Sequence, residues 1–125
     1  MSVSSIACAT RTRHSSPANL VARYGGEEFI ALLIDTDAEG SRMLAERMRE
    51  SIEVLKVENR DSGVGPFLTV SLGVATVIPN PTLRPEDLMD LADRALYAAK
   101  ASGRNRVATS QELPAKGSAP TPLER

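Results

Sequence analysis

The sequence contains no tryptophan, and its aromatic residues are only Tyr24, Phe29, Phe67 and Tyr97. Any core must therefore be built largely from aliphatic packing. One cysteine, Cys8, excludes an internal disulfide framework and points to the reducing cytoplasm. No stretch approaches the ~18 apolar residues of a membrane span. Before Glu27 there is no Asp or Glu at all, although Arg11, Arg13 and Arg23 all precede it. Over the whole chain 15 basic and 16 acidic residues nearly cancel. That balance argues against a dedicated nucleic-acid binder, because neutralising phosphates needs a basic surface. What remains is an ordinary globular composition: 125 residues, 42% hydrophobic, with 8 glycines and 8 prolines. It fits one domain and excludes a collagen or a coiled coil.

The two ends differ from the middle. Residues 1–18 hold five serines and no apolar run longer than Ile6–Ala9. This fails the test for a secretory signal, and an unstructured start is a better reading than a transit peptide. Residues 110–125, with Pro114, Pro120 and Pro122, read as a disordered tail. The expected folded unit is 19–109.

Within it, Leu20–Tyr24 and Glu27–Ile34 are β-compatible runs separated by Gly25-Gly26. Such a pair predicts a tight hairpin, whose loop residues need positive φ. Thr36-Asp37-Ala38-Glu39 fits a capping box, and Leu44, Met48, Ile52 and Leu55 recur at helical spacing to about Lys56. Asn59–Pro66 is a loop. Phe67–Ile78 is a long β run in which Gly73 marks a bulge or a close backbone approach. Asn80-Pro81 ends it. Pro85, Glu86 and Asp87 suit a helix start, and Leu88, Leu91, Ala92, Ala95 and Ala99 form its buried stripe. Gly103 fits just past its end, and Arg106–Ala108 a last short strand. The order is that of an α+β domain with helices packed on a sheet.

Two segments carry chemistry. In Arg23-Tyr24-Gly25-Gly26-Glu27-Glu28-Phe29 the glycines let an anionic ligand approach the backbone, and two carboxylates follow. Neighbours in a regular strand point to opposite faces, so Glu27, nearer the turn, is the better holder of a hard cation beside a phosphate. The plainer reading is a hairpin with two surface glutamates. In Lys100-Ala101-Ser102-Gly103-Arg104-Asn105, Lys100 and Arg104 are placed to neutralise phosphate. The plainer reading is a helix end with a dipole-complementing lysine.

Taken together, RYGGEEF, a helix, TVSLGVA and ADRALYAAKASGRN resemble, in order and spacing, the GGDEF family of diguanylate cyclases over about Asn19–Ala108. The resemblance implies a nucleotidyl-cyclase-like (ferredoxin-like palm) sheet. It also implies condensation of two GTP into cyclic di-GMP and pyrophosphate, with Mg²⁺, by a homodimer in which each subunit presents one GTP. Position by position, it implies that Gly25 and Gly26 form the turn against which GTP lies. Glu27 becomes the Mg²⁺ ligand and proton acceptor, Glu28 a second required acid, and Lys100 and Arg104 the triphosphate contacts.

The sequence departs from the family at its beginning. The first strand with its metal-binding Asp, and the following helix with its guanine-reading residues, have no counterpart in residues 1–18. The expectation is a truncated domain, its sheet missing a strand between the strands of Phe29 and Val70. The family's Arg-x-x-Asp product site falls on Ser16 and Asn19, so product inhibition there is not expected. Arg47 matches a secondary product contact and is read as an exposed helical arginine. Two functions stay open: a cyclase, or an inactive remnant that binds nucleotide weakly or serves as an interaction module.

Overall fold

A computed structural model describes residues 3–10, 20–25, 27–34, 36–58, 66–78 and 81–112. In chain order the elements are strand β1 (Val3–Thr10), strands β2 (Leu20–Gly25) and β3 (Glu28–Ile34), helix α1 (Ala38–Leu55), strand β4 (Val70–Val77), helix α2 (Pro85–Ala101) and strand β5 (Val107–Thr109). A single 3₁₀ turn, Ser110–Glu112, follows β5. The strands form one sheet in the order β2-β3-β1-β4-β5.

The local signals act as their chemistry dictates. α1 begins one residue later than the Thr36 cap predicts: Asp37 is the N-cap, and its carboxylate accepts from the Gly40 amide at 2.7 Å. The helix ends where Lys56 turns left-handed at φ 51°. Pro85 opens α2, and the Asp87 carboxylate accepts from the Arg84 amide at 3.0 Å. Phe67 does not enter β4. It makes an isolated bridge with Glu58, and Lys56 Nζ lies 5.2 Å from its ring centroid.

The helices cover opposite faces. Alternate β4 residues Val70, Leu72 and Val74 pack with Ala45 and Ile52 of α1, while Ala75 packs with Leu88, Ala92 and Leu96 of α2. The predicted α2 stripe is buried at Leu88, Ala92, Ala95 and Ala99, joined by Leu96, while Leu91 is half-buried. Gly73 is a close approach and not a bulge. The register of β4 is continuous with both neighbours, and a Cβ at Gly73 would collide with the backbone of Ala92 and Leu96.

Residues 3–10 are the main correction. The sequence leaves them unstructured and leaves a gap in the sheet, yet β1 fills the middle place. It pairs in parallel with β3, from Ser4 beside Glu28 to Thr10 beside Ile34, and with β4, from Val3 beside Val70 to Thr10 beside Val77. A gap would leave the inner backbone groups of β3 and β4 without partners. The uncharged segment VSSIACAT, with β-branched Val3, Ile6 and Thr10, can supply them. Its direction follows from chain length. To run parallel to β2 on the far side of β3, β1 would need a crossover of a dozen or more residues, and only residues 11–19 connect the two. β1 therefore runs opposite to β2 and alongside β3. The loop 59–65, Asn80, the Ser16 and Asn19 positions and the tail beyond Glu112 lie outside the described residues.

Candidate functional site

β1, β3, β4 and β5 run in one direction, so their starting ends share one edge of the sheet. α1 and α2 each return from the far end, which brings both helix C-termini to that edge. The hairpin turn before β3 and the loop before β5 meet it as well. A helix C-terminus carries partial negative charge, so an anion bound here must be held by cationic side chains.

On the hairpin side, Gly25 closes β2 and pairs with Glu28 after a register shift that follows Arg23. Gly26 lies outside the described residues. Glu27 occupies the turn and is exposed, while Glu28 opens β3 half-buried. The two acids are thus not consecutive residues of a regular strand. Glu27 projects from a turn, where strand alternation does not bind it. No side-chain hydrogen bond or ion pair to a described residue holds either carboxylate.

On the other side, Lys100 sits half-buried in the last turn of α2. The chain then passes through Ser102, whose amide donates to the Ala98 carbonyl at 3.0 Å, and Gly103 at φ 124°. Arg104 (φ 63°) and Asn105 (φ 48°) continue in the left-handed region. The Arg104 amide donates to the Ala99 carbonyl at 3.0 Å. A Cβ at Gly103 would stand 2.7 Å from the Arg106 guanidinium, which itself donates from Nε to the Arg104 carbonyl at 3.0 Å. From the Glu28 end of β3 to the entry of β5 there are three strand spacings, roughly 14 Å. The structure so brings Gly25, Glu27 and Glu28 to the same edge as Lys100 and Arg104, on strands separated by β1 and β4.

Sequence reasoning missed the group that fixes this loop. Asn105 donates its backbone N–H to Ser71 Oγ at 3.1 Å and its side-chain amide to Glu53 at 2.7 Å. Its amide oxygen accepts from Arg49 at 3.0 Å. Arg49 also pairs with Glu46 at 2.5 Å and Glu53 at 3.1 Å. The Asn105 amide, followed by the Arg49 guanidinium, holds the Glu53 carboxyl below the usual carboxylate range. Glu46 chiefly raises Arg49 further above its ordinary value. The usable signal was an Asn just past a helix-ending Gly, since Asn tolerates positive φ better than most residues.

As a metal site the edge is sparse. Among the described residues no three His, Cys, Asp or Glu side chains gather to hold an ion. Beside Glu28, the neighbouring strand offers Ser4 and not a carboxylate. One or two carboxylates do suit Mg²⁺ when substrate phosphates supply other ligands, so the donor set fits an ion that arrives with a nucleotide.

Comparison with known proteins agrees with the motifs. Residues 6–106 match the family model described as diguanylate cyclase, GGDEF domain, a match that begins inside β1. The chain is 46% identical over 91 residues to a probable diguanylate cyclase, DgcT, of Escherichia coli K12, covering 73% of this chain and 20% of that protein. It is 39% identical over 95 residues to diguanylate cyclase A of Treponema denticola, covering 75% of this chain and 24% of that protein. The solved GGDEF domain of DgcB from Caulobacter crescentus, in complex with c-di-GMP, superposes with a TM-score of 0.64 at 33% identity. That match covers 78% of this chain and 55% of that one. The chain thus spans about a quarter or less of these two relatives and about half of the solved domain.

Proposed function

The chain belongs to the GGDEF family, and from that membership we propose that it is the nucleotide-binding part of a diguanylate cyclase. The observation that carries the reading is the shared sheet edge, at which the Gly25–Glu28 hairpin and the Lys100–Arg104 segment both lie; we read it as one binding region. GTP lies against Gly25 and Gly26, with its phosphates toward Lys100 and Arg104, whose cations offset the two helix C-termini. Glu27 would hold Mg²⁺, which supplies charge neutralisation at the phosphates. Two such chains pair so that each presents one nucleotide. The 3′-hydroxyl oxygen of one GTP bonds to the α-phosphorus of the other, and the bond to the β-phosphate oxygen breaks to release pyrophosphate. Glu27 takes the hydroxyl proton, with Glu28 as the supporting acid. Repeating the transfer closes the ring of cyclic di-GMP.

Ser4 in place of a carboxylate beside Glu28 favours a second reading, a domain that binds GTP without condensing it. Purified chain incubated with GTP and Mg²⁺ separates the two. Cyclic di-GMP found by chromatography, and abolished by Glu27→Ala, supports the cyclase. GTP binding without product supports the second reading. Neither helix is long and apolar enough to cross a membrane among the described residues. Action in the cytoplasm is part of the same proposal.

A further inference from the structure

We propose that Asn105 is a positioning residue that, clamped by Glu53 and Arg49 of α1 and by Ser71 of β4, sets Arg104 for the triphosphate. This inference rests on the nucleotide-binding reading above.

Arg104 and Asn105 are two successive non-glycine residues in the left-handed region, a conformation that Arg rarely adopts. Such a conformation persists only where the surroundings determine it. The Arg104 backbone is bonded locally, to the Ala99 carbonyl and the Arg106 side chain, and Asn105 is what ties this loop to α1 and β4. Its backbone N–H, its amide nitrogen and its amide oxygen each have a partner, and those partners lie on two other elements. Arg49 is itself held from both sides by Glu46 and Glu53 on successive turns of α1. The side chain of Asn105 thus ties the loop to a helix that is otherwise remote from it in sequence. An aspartate would keep the acceptor for Arg49 but set a carboxylate against Glu53. A glycine would keep the backbone freedom but lose both side-chain bonds. Those two demands, an amide that donates and accepts and a tolerance of positive φ, select asparagine. A guanidinium whose backbone is fixed loses less freedom on gripping phosphate than one on a loose loop.

The test is a titration of the full chain with Mg²⁺-GTP, following the ³¹P shifts of the nucleotide and the H8 proton of its guanine. The wild type should move both sets. Asn105→Gly should raise the midpoint of both responses about tenfold, toward that of Arg104→Ala, and should cost little more when added to Arg104→Ala. Glu53→Ala, on the exposed face of α1, removes one leg of the clamp without touching the loop and should raise that midpoint about threefold. Far-UV circular dichroism checks that each variant is folded. A wild type that moves neither set overturns the nucleotide-binding reading and this inference together. A binding wild type whose Asn105→Gly and Glu53→Ala variants keep the full phosphate response overturns the inference alone. So does an Asn105→Gly that weakens binding as much in the Arg104→Ala background as it does alone, which is the mark of a general structural defect.

Discussion

In β4, Leu72, Val74 and Ala75 are all but sealed from solvent, with α1 on one face and α2 on the other. In the β2–β3 hairpin, Val21 leaves 64% of its surface exposed and Phe29 37%. The two regions belong to one sheet but are held by different means. β4 is fixed by burial and by a glycine that lets a helix rest on it. Of the hairpin, β3 is anchored by the buried Ala31 and Leu33 while β2 is held mainly by its ladder, and a cavity of about 530 Å³ opens between the hairpin and α1, lined in part by Val21, Phe29, Met48 and Leu68. The acids assigned to chemistry stand at the turn end of the hairpin, Glu27 exposed and Glu28 half-buried. The cations assigned to phosphate stand on the firmly packed region. Stability and catalysis should therefore respond to different substitutions.

The strongest way to break that division is at Gly73. Gly73→Ala forces a methyl into the backbone of α2 and should cost about 3 kcal/mol, read from the urea midpoint. Leu72→Ala, which empties a fully buried site, should cost about 2–4 kcal/mol by the same measurement. On the hairpin, Val21→Ala should stay within about 0.5 kcal/mol of the wild type. A cost comparable to that of Leu72→Ala would mean that the hairpin is packed as firmly as β4. Glu27→Ala should leave the urea midpoint unmoved within the same margin while removing any cyclic di-GMP formation. The smallest effect concerns acid. Because Glu53 is held below its ordinary range, the stability it contributes is present above the ordinary carboxylate range and lost as the pH falls through its depressed value. Glu53→Gln should flatten that part of the acid-unfolding profile by lowering the neutral plateau toward the acid one.

The legible parts of this fold are those set by local chemistry. Pro85 and Gly103 mark helix boundaries, and the Thr36 capping box marks one to within a residue, because capping and backbone freedom are properties of a few adjacent residues. Gly73 was readable as an anomaly, although only the packed helix distinguishes a close approach from a bulge. β1 was not legible. VSSIACAT has no alternation and little bulk, and its place comes from two strands that need a partner between them. At the site, Gly25, Glu27, Glu28, Lys100 and Arg104 were found as motif positions. Asn105 was quoted among them without a role, because its partners Glu53, Arg49 and Ser71 are between 34 and 56 residues away.

The central place of β1 also has a consequence in time. Val3 pairs with Val70, and Thr10 with Val77. On a ribosome adding ~5–20 residues each second, the middle strand emerges several seconds before the second of its neighbours exists. Pairings so distant in sequence close slowly in refolding as well. Until β4 arrives, β1 has one bare edge, open to any other extended chain within reach. The middle of this sheet is thus closed only when β1 meets a strand made much later.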